Sequence, residues 1–274
     1  MEQKLLRKVQ LVQLEIAKEI RRVCDENGIK YFLDSGTLLG AVRHKGFIPW
    51  DDDLDLGMLR EDYDRFCEIA PEKLDPKYYL QTWKNDSNYP LPFAKVRKHN
   101  TVFIEGKSNR SKGNGIYVDI FPYDNTPVEE GEKEKLRDVL CDLARTILMK
   151  DHFQPWYEDG KINWKKRVGY LYYQFKALFT THEKLVDKYE MLVKSVQESS
   201  VVYEQTGNKL LFYFPKSWCE TSELIEFEND TFTCASNTDG YLKELYGNYW
   251  ELPPESEREN RHQIIELDFG DENY

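Results

Sequence analysis

No run of about 20 apolar residues occurs in the 274-residue chain, so nothing in it reads as a membrane-spanning helix. Cysteines are few and scattered: Cys24, Cys67, Cys141, Cys219 and Cys234 are odd in number, and no Cys-x-x-Cys or Cys/His pair has zinc spacing. That excludes a zinc module and a disulfide framework and predicts reduced, structural thiols. There is no excess of basic charge. A net charge of −11 argues against general nucleic-acid binding, which needs a basic surface to release counterions, but leaves room for a small anionic ligand in a locally basic cleft. Repeats and low-complexity linkers are missing too. The N-terminal segment MEQKLLRKVQLVQLEIAKEIRRV is too charged for a secretory leader, so the expected location is cytoplasmic, with contact at the inner face of the membrane as an extension of that expectation.

What is present is patterned. Leu5, Val9, Val12, Ile16, Ile20 and Val23 recur at helical spacing and predict an amphipathic helix ending near Asn27-Gly28. Lys30 to Leu33 reads as a strand entering Asp34-Ser35-Gly36-Thr37, followed by a short helix, TLLGAVRH. A helix is expected from about Arg60 to Ala70, a hairpin across Glu228-Asn229-Asp230, and a short helix closed by Gly247. Residues 129–200 are helical in pattern. The expectation is one α+β catalytic domain over 1–274, a mixed sheet flanked by helices, with a helical insertion at about 129–200.

The stretch IPWDDDLDLGM (48–58) is the chemical signal. Asp53 and Asp55 alternate with Leu54, Leu56 and Met58, which puts both carboxylates on one face of a strand and the apolar side chains on the other. Like charges so placed repel, and burial worsens the cost, so a cation is expected between them. A second alternating segment, GIYVDIFPYD (115–124), carries Asp119 with Tyr117 and Phe121. A Gly-Thr turn (Gly36-Thr37) opening a helix lets backbone N–H groups approach a phosphate. Two aspartates suit Mg²⁺, with Mn²⁺ as a substitute, and a third could complete a metal clamp or take a proton from an attacking hydroxyl. Together these features describe metal-dependent transfer at phosphorus. A calcium loop fails, because position six from Asp51 is Leu56 where glycine is needed. A glycosyltransferase with an Asp-x-Asp site and a non-catalytic scaffold are the rival readings.

The segment FLDSGTLLGAVRHKGFIPWDDDLDLGMLREDYDRF (32–66) resembles the signature of the LicD family, which is related to fukutin-related proteins. VDIFPYD (118–124), FPKSW (214–218), IEFEND (225–230), LYGNYWELPP (245–254) and RENRHQ follow in family order, while about 125–205 has no counterpart. The resemblance implies a nucleotidyltransferase-like fold and transfer of a phospho-alcohol, most often phosphocholine, from a CDP-activated donor such as CDP-choline. The acceptor it implies is a sugar hydroxyl of a cell-surface glycan or its lipid-linked precursor. Carried over by position, Gly36 and Thr37 match the phosphate-side turn, Asp53 and Asp55 the metal pair and Asp119 the third carboxylate, with Asp51 in a supporting place.

Beside these, Arg43 is a candidate clamp for the donor's diphosphate, with His44, Arg258, Arg261 and His262 as further cations. Trp50, Tyr117 and Tyr123 are candidates for an aromatic site around a choline group. KINWKKRVGYLYYQFKALF (161–179) is basic and aromatic within an acidic chain. As one helix it would align Trp164, Val168, Leu171, Tyr172 and Phe175, a stripe that either packs in a core or faces a lipid surface.

Overall fold

A computed structural model of the chain describes residues 2–105, 114–158, 161–206, 212–220, 222–260 and 264–270. Helix α1 (Gln3–Asn27) buries Val9, Val12, Ile16, Ile20 and Val23 and ends at Gly28, whose left-handed backbone (φ 62°) returns its N–H to Cys24 O. Strand β1 (Phe32–Leu33) leads into α2 (Ser35–His44), and β2 (Asp55–Leu59) into α3 (Arg60–Lys73), which opens with Glu61 and Asp62 at its positive end. Strands β3 (Tyr78–Gln81), β4 (Ala94–Lys98), β5 (Val102–Glu105) and β6 (Tyr117–Asn125) follow.

Next come α4 (Glu130–Lys150), the short pair β7 (Tyr157–Glu158) and β8 (Lys161–Ile162), α5 (Trp164–Gly169), α6 (Leu171–Ala177) and α7 (His182–Val193). The remainder is β9 (Val201–Glu204), β10 (Tyr213–Pro215), α8 (Lys216–Glu220), β11 (Ser222–Phe227), β12 (Asp230–Ala235), α9 (Thr238–Tyr246) and β13 (Ile264–Asp268).

The main sheet is mixed and helices flank it, an α+β arrangement. Its strands run β1-β2-β6-β4-β3, with β9 paired to the far end of β6 and β10 to β9. β2 and β6 are parallel, while β4 and β9 meet β6 antiparallel, one after the other along the same edge. β6 is buried along nearly its whole length, because neighbours cover it on both edges and layers cover both faces. The alternation expected over 115–124 therefore does not mark a solvent face. The helices between β6 and β9 bring their own core: Leu140, Leu143, Ile147, Leu185 and Tyr189 close over Trp83 and Tyr203.

The β11–β12 hairpin turns at Glu228 and Asn229, both left-handed (φ 56° and 60°), the twist that suits a two-residue hairpin. Glu228 then binds Arg7 of α1 at 2.6 Å and the Phe47 N–H at 3.2 Å, tying hairpin, first helix and the approach to β2 together. The five cysteines are free thiols. Among the described residues no helix is long and apolar enough to cross a membrane.

Candidate active site

The site is built at the turn between β1 and α2. Asp34 caps α2, its side chain accepting from the Ser35 N–H at 2.7 Å. It is fully buried, and the same oxygen accepts from the hydroxyls of Tyr123 (2.8 Å) and Tyr241. Burial pushes the Asp34 carboxyl above its ordinary range, with the two tyrosines and Ser35 pulling it back. Thr37 and Asp34 fasten the turn to β2 at two points. Thr37 Oγ1 accepts from the Asp55 N–H at 2.9 Å, and the Asp34 N–H donates to Asp55 O at 3.0 Å. Gly36 leaves room for Asp51: a Cβ there would stand 2.9 Å from Asp51 Oδ2.

Asp51, Asp52 and Asp53 lie on the irregular approach to β2, and each offers a carboxylate oxygen within 4.8 Å of the others. β2 itself begins at Asp55, so Asp53 precedes the strand rather than sharing it. The alternation nevertheless holds: Asp53 and Asp55 are partly open while Leu54 and Leu56 are buried. Asp55 stands opposite Asp119 in the β2–β6 register. Burial, then the charges of Asp53, Asp119, Asp34 and Asp51, drive the Asp55 carboxyl well above the usual carboxylate range.

Sequence reasoning missed Lys95. It faces Asp119 in the β4–β6 register, so Asp55, Asp119 and Lys95 stand abreast on three adjacent strands. Lys95 Nζ lies 2.6 Å from Asp119 Oδ1, a buried ion pair. The ammonium also covers the Tyr117 ring at 3.4 Å from its centroid. Burial raises the Asp119 carboxyl, and Lys95 works against that rise. The site thus gathers carboxylates from three stretches of chain, with the buried Lys95 ammonium set against one of them, Asp119. An all-oxygen donor set in which neighbouring carboxylates crowd Asp55 fits a hard divalent cation such as Mg²⁺.

The candidate cations have other work as well. Arg43, in the last turn of α2, donates from Nη1 to Tyr249 O at 2.9 Å. Arg258 donates from Nε to Pro253 O at 2.8 Å and lies 5.6 Å over the Trp50 ring. Both guanidiniums bond backbone carbonyls, and burial followed by the charge of Arg258 pushes Arg43 down. Trp50 and Arg258 line a cavity of about 540 Å³ with Gln3, Pro49 and Asn260, and Asn260 reaches Asp52 Oδ2 at 3.5 Å. Arg261 and His262 lie outside the described residues.

The expected aromatic site does not assemble. Tyr123 is buried with its hydroxyl on Asp34, and Tyr117 is buried beneath Lys95 and Arg97. Only Trp50 is partly open, and Arg258 occupies its ring.

An acidic centre at a strand–turn–helix junction of a mixed sheet is the class of site that fold and geometry define. Residues 28–156 match the model of the LicD/FKTN/FKRP nucleotidyltransferase domain, and through this stretch the chain is similar to the LicD family. It is 29% identical over 262 residues to the lipopolysaccharide cholinephosphotransferase LicD of Haemophilus influenzae, covering 94% of this chain and 96% of that protein. An uncharacterized protein of Rickettsia typhi is 50% identical over 58 residues, 21% of this chain and 19% of that one. The human ribitol 5-phosphate transferase FKRP is 48% identical over 48 residues, 18% of this chain and 10% of its own length.

Proposed function

We propose that the chain is a divalent-cation-dependent transferase that moves phosphocholine from CDP-choline to a sugar hydroxyl of a glycan or its lipid-linked precursor, releasing CMP. The observation that supports this reading is Asp55 opposite Asp119 in the β2–β6 register, with the Asp53 charge bearing on Asp55, beside the Gly36-Thr37 turn. The near-full-length likeness to a cholinephosphotransferase supports the head group.

Asp53 and Asp55 would hold Mg²⁺ or Mn²⁺, with Asp119 as the third carboxylate and Asp51 steadying the Gly36 side. When bound, the cation would neutralise the donor's diphosphate and the charge that develops on the departing CMP. The sugar oxygen bonds to the phosphorus that carries choline, and the electron pair of the broken phosphoanhydride bond leaves with CMP. Asp119 takes the hydroxyl proton, and Lys95 holds its carboxylate in place. Thr37, buried and accepting from the Asp55 N–H, acts by fixing the turn whose backbone approaches phosphate. Arg43 and Arg258, two partly buried like charges on carbonyl partners, favour an anion between them and so receive the remaining phosphate charge. The helical stretch between β6 and β9 serves as an insertion into one catalytic domain spanning the chain, which works in the cytoplasm.

The test is a donor screen with Mg²⁺, measuring CMP from CDP-choline, CDP-ethanolamine, CDP-glycerol and CDP-ribitol, and UDP from UDP-sugars. CDP-choline should be the preferred donor. Preference for a polyol donor would correct the head group and leave the chemistry standing, whereas UDP release alone would replace the reading with glycosyl transfer.

A further inference from the structure

The stretch from 161 to 179 is a surface. Between Asp159 and Glu183 the sequence carries Lys161, Lys165, Lys166, Arg167 and Lys176 and no carboxylate, in a chain of net charge −11. The expected single helix is broken at Tyr170 into α5 and α6. Its inner side is already anchored: Tyr170, Tyr173 and Ala177 pack with Leu148, Met149 and Trp156. Arg145 donates to the Tyr173 hydroxyl at 3.1 Å, Lys150 to Ala177 O at 3.3 Å, and Lys176 pairs with Asp142. These contacts fix which side faces outward. On that side Trp164, Val168, Leu171, Tyr172, Phe175 and Phe179 are between 53% and 75% exposed. An isolated exposed aromatic is ordinary, but six large apolar side chains within sixteen residues form a patch with a purpose.

We infer that this face docks on a bilayer surface containing anionic phospholipid. Lys161, Lys165 and Lys166 are exposed, and Arg167 stacks 4.9 Å from the Trp164 ring. Basic side chains beside tryptophan, tyrosine and phenylalanine are the composition of a helix lying in the headgroup region, the rings entering the acyl boundary and the cations meeting phosphate. The rest of the molecule is acidic, which orients the approach. Charges more than about 10 Å from the membrane are screened at physiological salt, so this face alone is drawn in. A second copy of the chain is a poorer occupant, because a two-fold contact would set the same cations against one another. The inference goes beyond the transfer reaction and does not depend on it.

The test is sedimentation of the whole protein with vesicles at low salt, phosphatidylcholine doped with phosphatidylglycerol against phosphatidylcholine alone. The protein should pellet with the anionic vesicles and be released by salt. Lys165→Glu/Lys166→Glu/Arg167→Glu should lower partitioning roughly a hundredfold or more, at about fivefold per basic charge lost near the surface. Phe175→Ser/Phe179→Ser should weaken it independently. All five positions are exposed or partly so, and circular dichroism verifies that each variant folds. Absence from the anionic pellet, or binding unchanged in either variant, overturns the inference. So does a dimer in analytical ultracentrifugation that Phe175→Ser abolishes, because a second copy would then own the face.

Discussion

Lys95 and Asp119 face each other across β4 and β6 with 2.6 Å between Nζ and Oδ1, both buried. A buried pair is costly to break from one side, because the surviving charge stays in the interior unpaired. Lys95→Met should therefore destabilise the cation-free protein by roughly 3 kcal/mol or more in urea unfolding with chelator present. The double variant Lys95→Met/Asp119→Asn should recover much of that loss, since the charge left stranded is gone. Additive losses in the double variant would show that the two side chains do not act as a pair.

Asp53→Asn and Asp55→Asn should each cost about a thousandfold or more in CMP release, the worth of several kcal/mol of charge stabilisation at the transition state. Stability should move the other way. Burial and four neighbouring carboxylates disfavour an ionised Asp55, so its replacement by the isosteric amide relieves repulsion. In chelator the variant should melt at or above the wild-type temperature, and it should lose the rise in melting temperature that Mg²⁺ gives the wild type. Undiminished turnover with intact Mg²⁺ dependence would remove these two residues from the metal pair.

The parts of this site that were legible in the sequence are those that local pattern carries. Period 2 placed Asp53 and Asp55 opposite Leu54 and Leu56, and the Gly-Thr turn followed from its position between strand and helix. Lys95 and Asp34 were not legible, because their meaning depends on pairing between distant strands. Lys95 matters only once β4 lies against β6, and Asp34 only once Tyr241, 207 residues away, closes over it. The same limit explains the stripe in α5 and α6. Periodicity shows which side chains share a face, but whether that face finds a partner is a property of the rest of the fold. It also explains why Tyr117 and Tyr123 fell out of the expected choline site: a buried ring and an open one look alike in sequence.

Gly36→Ala probes the turn. Its new Cβ would stand 2.9 Å from Asp51 Oδ2, and the contact is the end of a side chain that can swing away rather than backbone. The protein should fold with little loss of stability. The cost should appear in the site, as Asp51 moves: a weaker apparent affinity for Mg²⁺ in turnover and a higher KM for the donor. An unchanged Mg²⁺ titration would mean that Asp51 contributes nothing to cation binding.

His182 supplies a prediction about pH away from the site. Its Nδ1 lies 2.9 Å from both oxygens of Asp151, and its Nε2 lies 2.6 Å from Trp83 O. Both ring nitrogens face acceptors, which only the imidazolium satisfies. Burial lowers its pKa, but the bonds to Asp151 and Trp83 O outweigh that, and the net direction is upward. For Asp151 burial wins and its carboxyl is raised, so the two shifts differ in cause; the ring geometry decides for the charged pair. A histidine whose folded pKa exceeds its unfolded value adds stability that is fully present below the unfolded value of about 6.5 and is lost as pH rises through the folded value. The penalty of His182→Gln should therefore be larger near pH 5.5 than near pH 8.5, about 1 to 3 kcal/mol at the lower value if one charged hydrogen-bonded partner is removed. Denaturant melts of both proteins at the two pH values measure it. A penalty that grows with pH would mean that the ring is held neutral and that Trp83 O or Asp151 is bonded in another way.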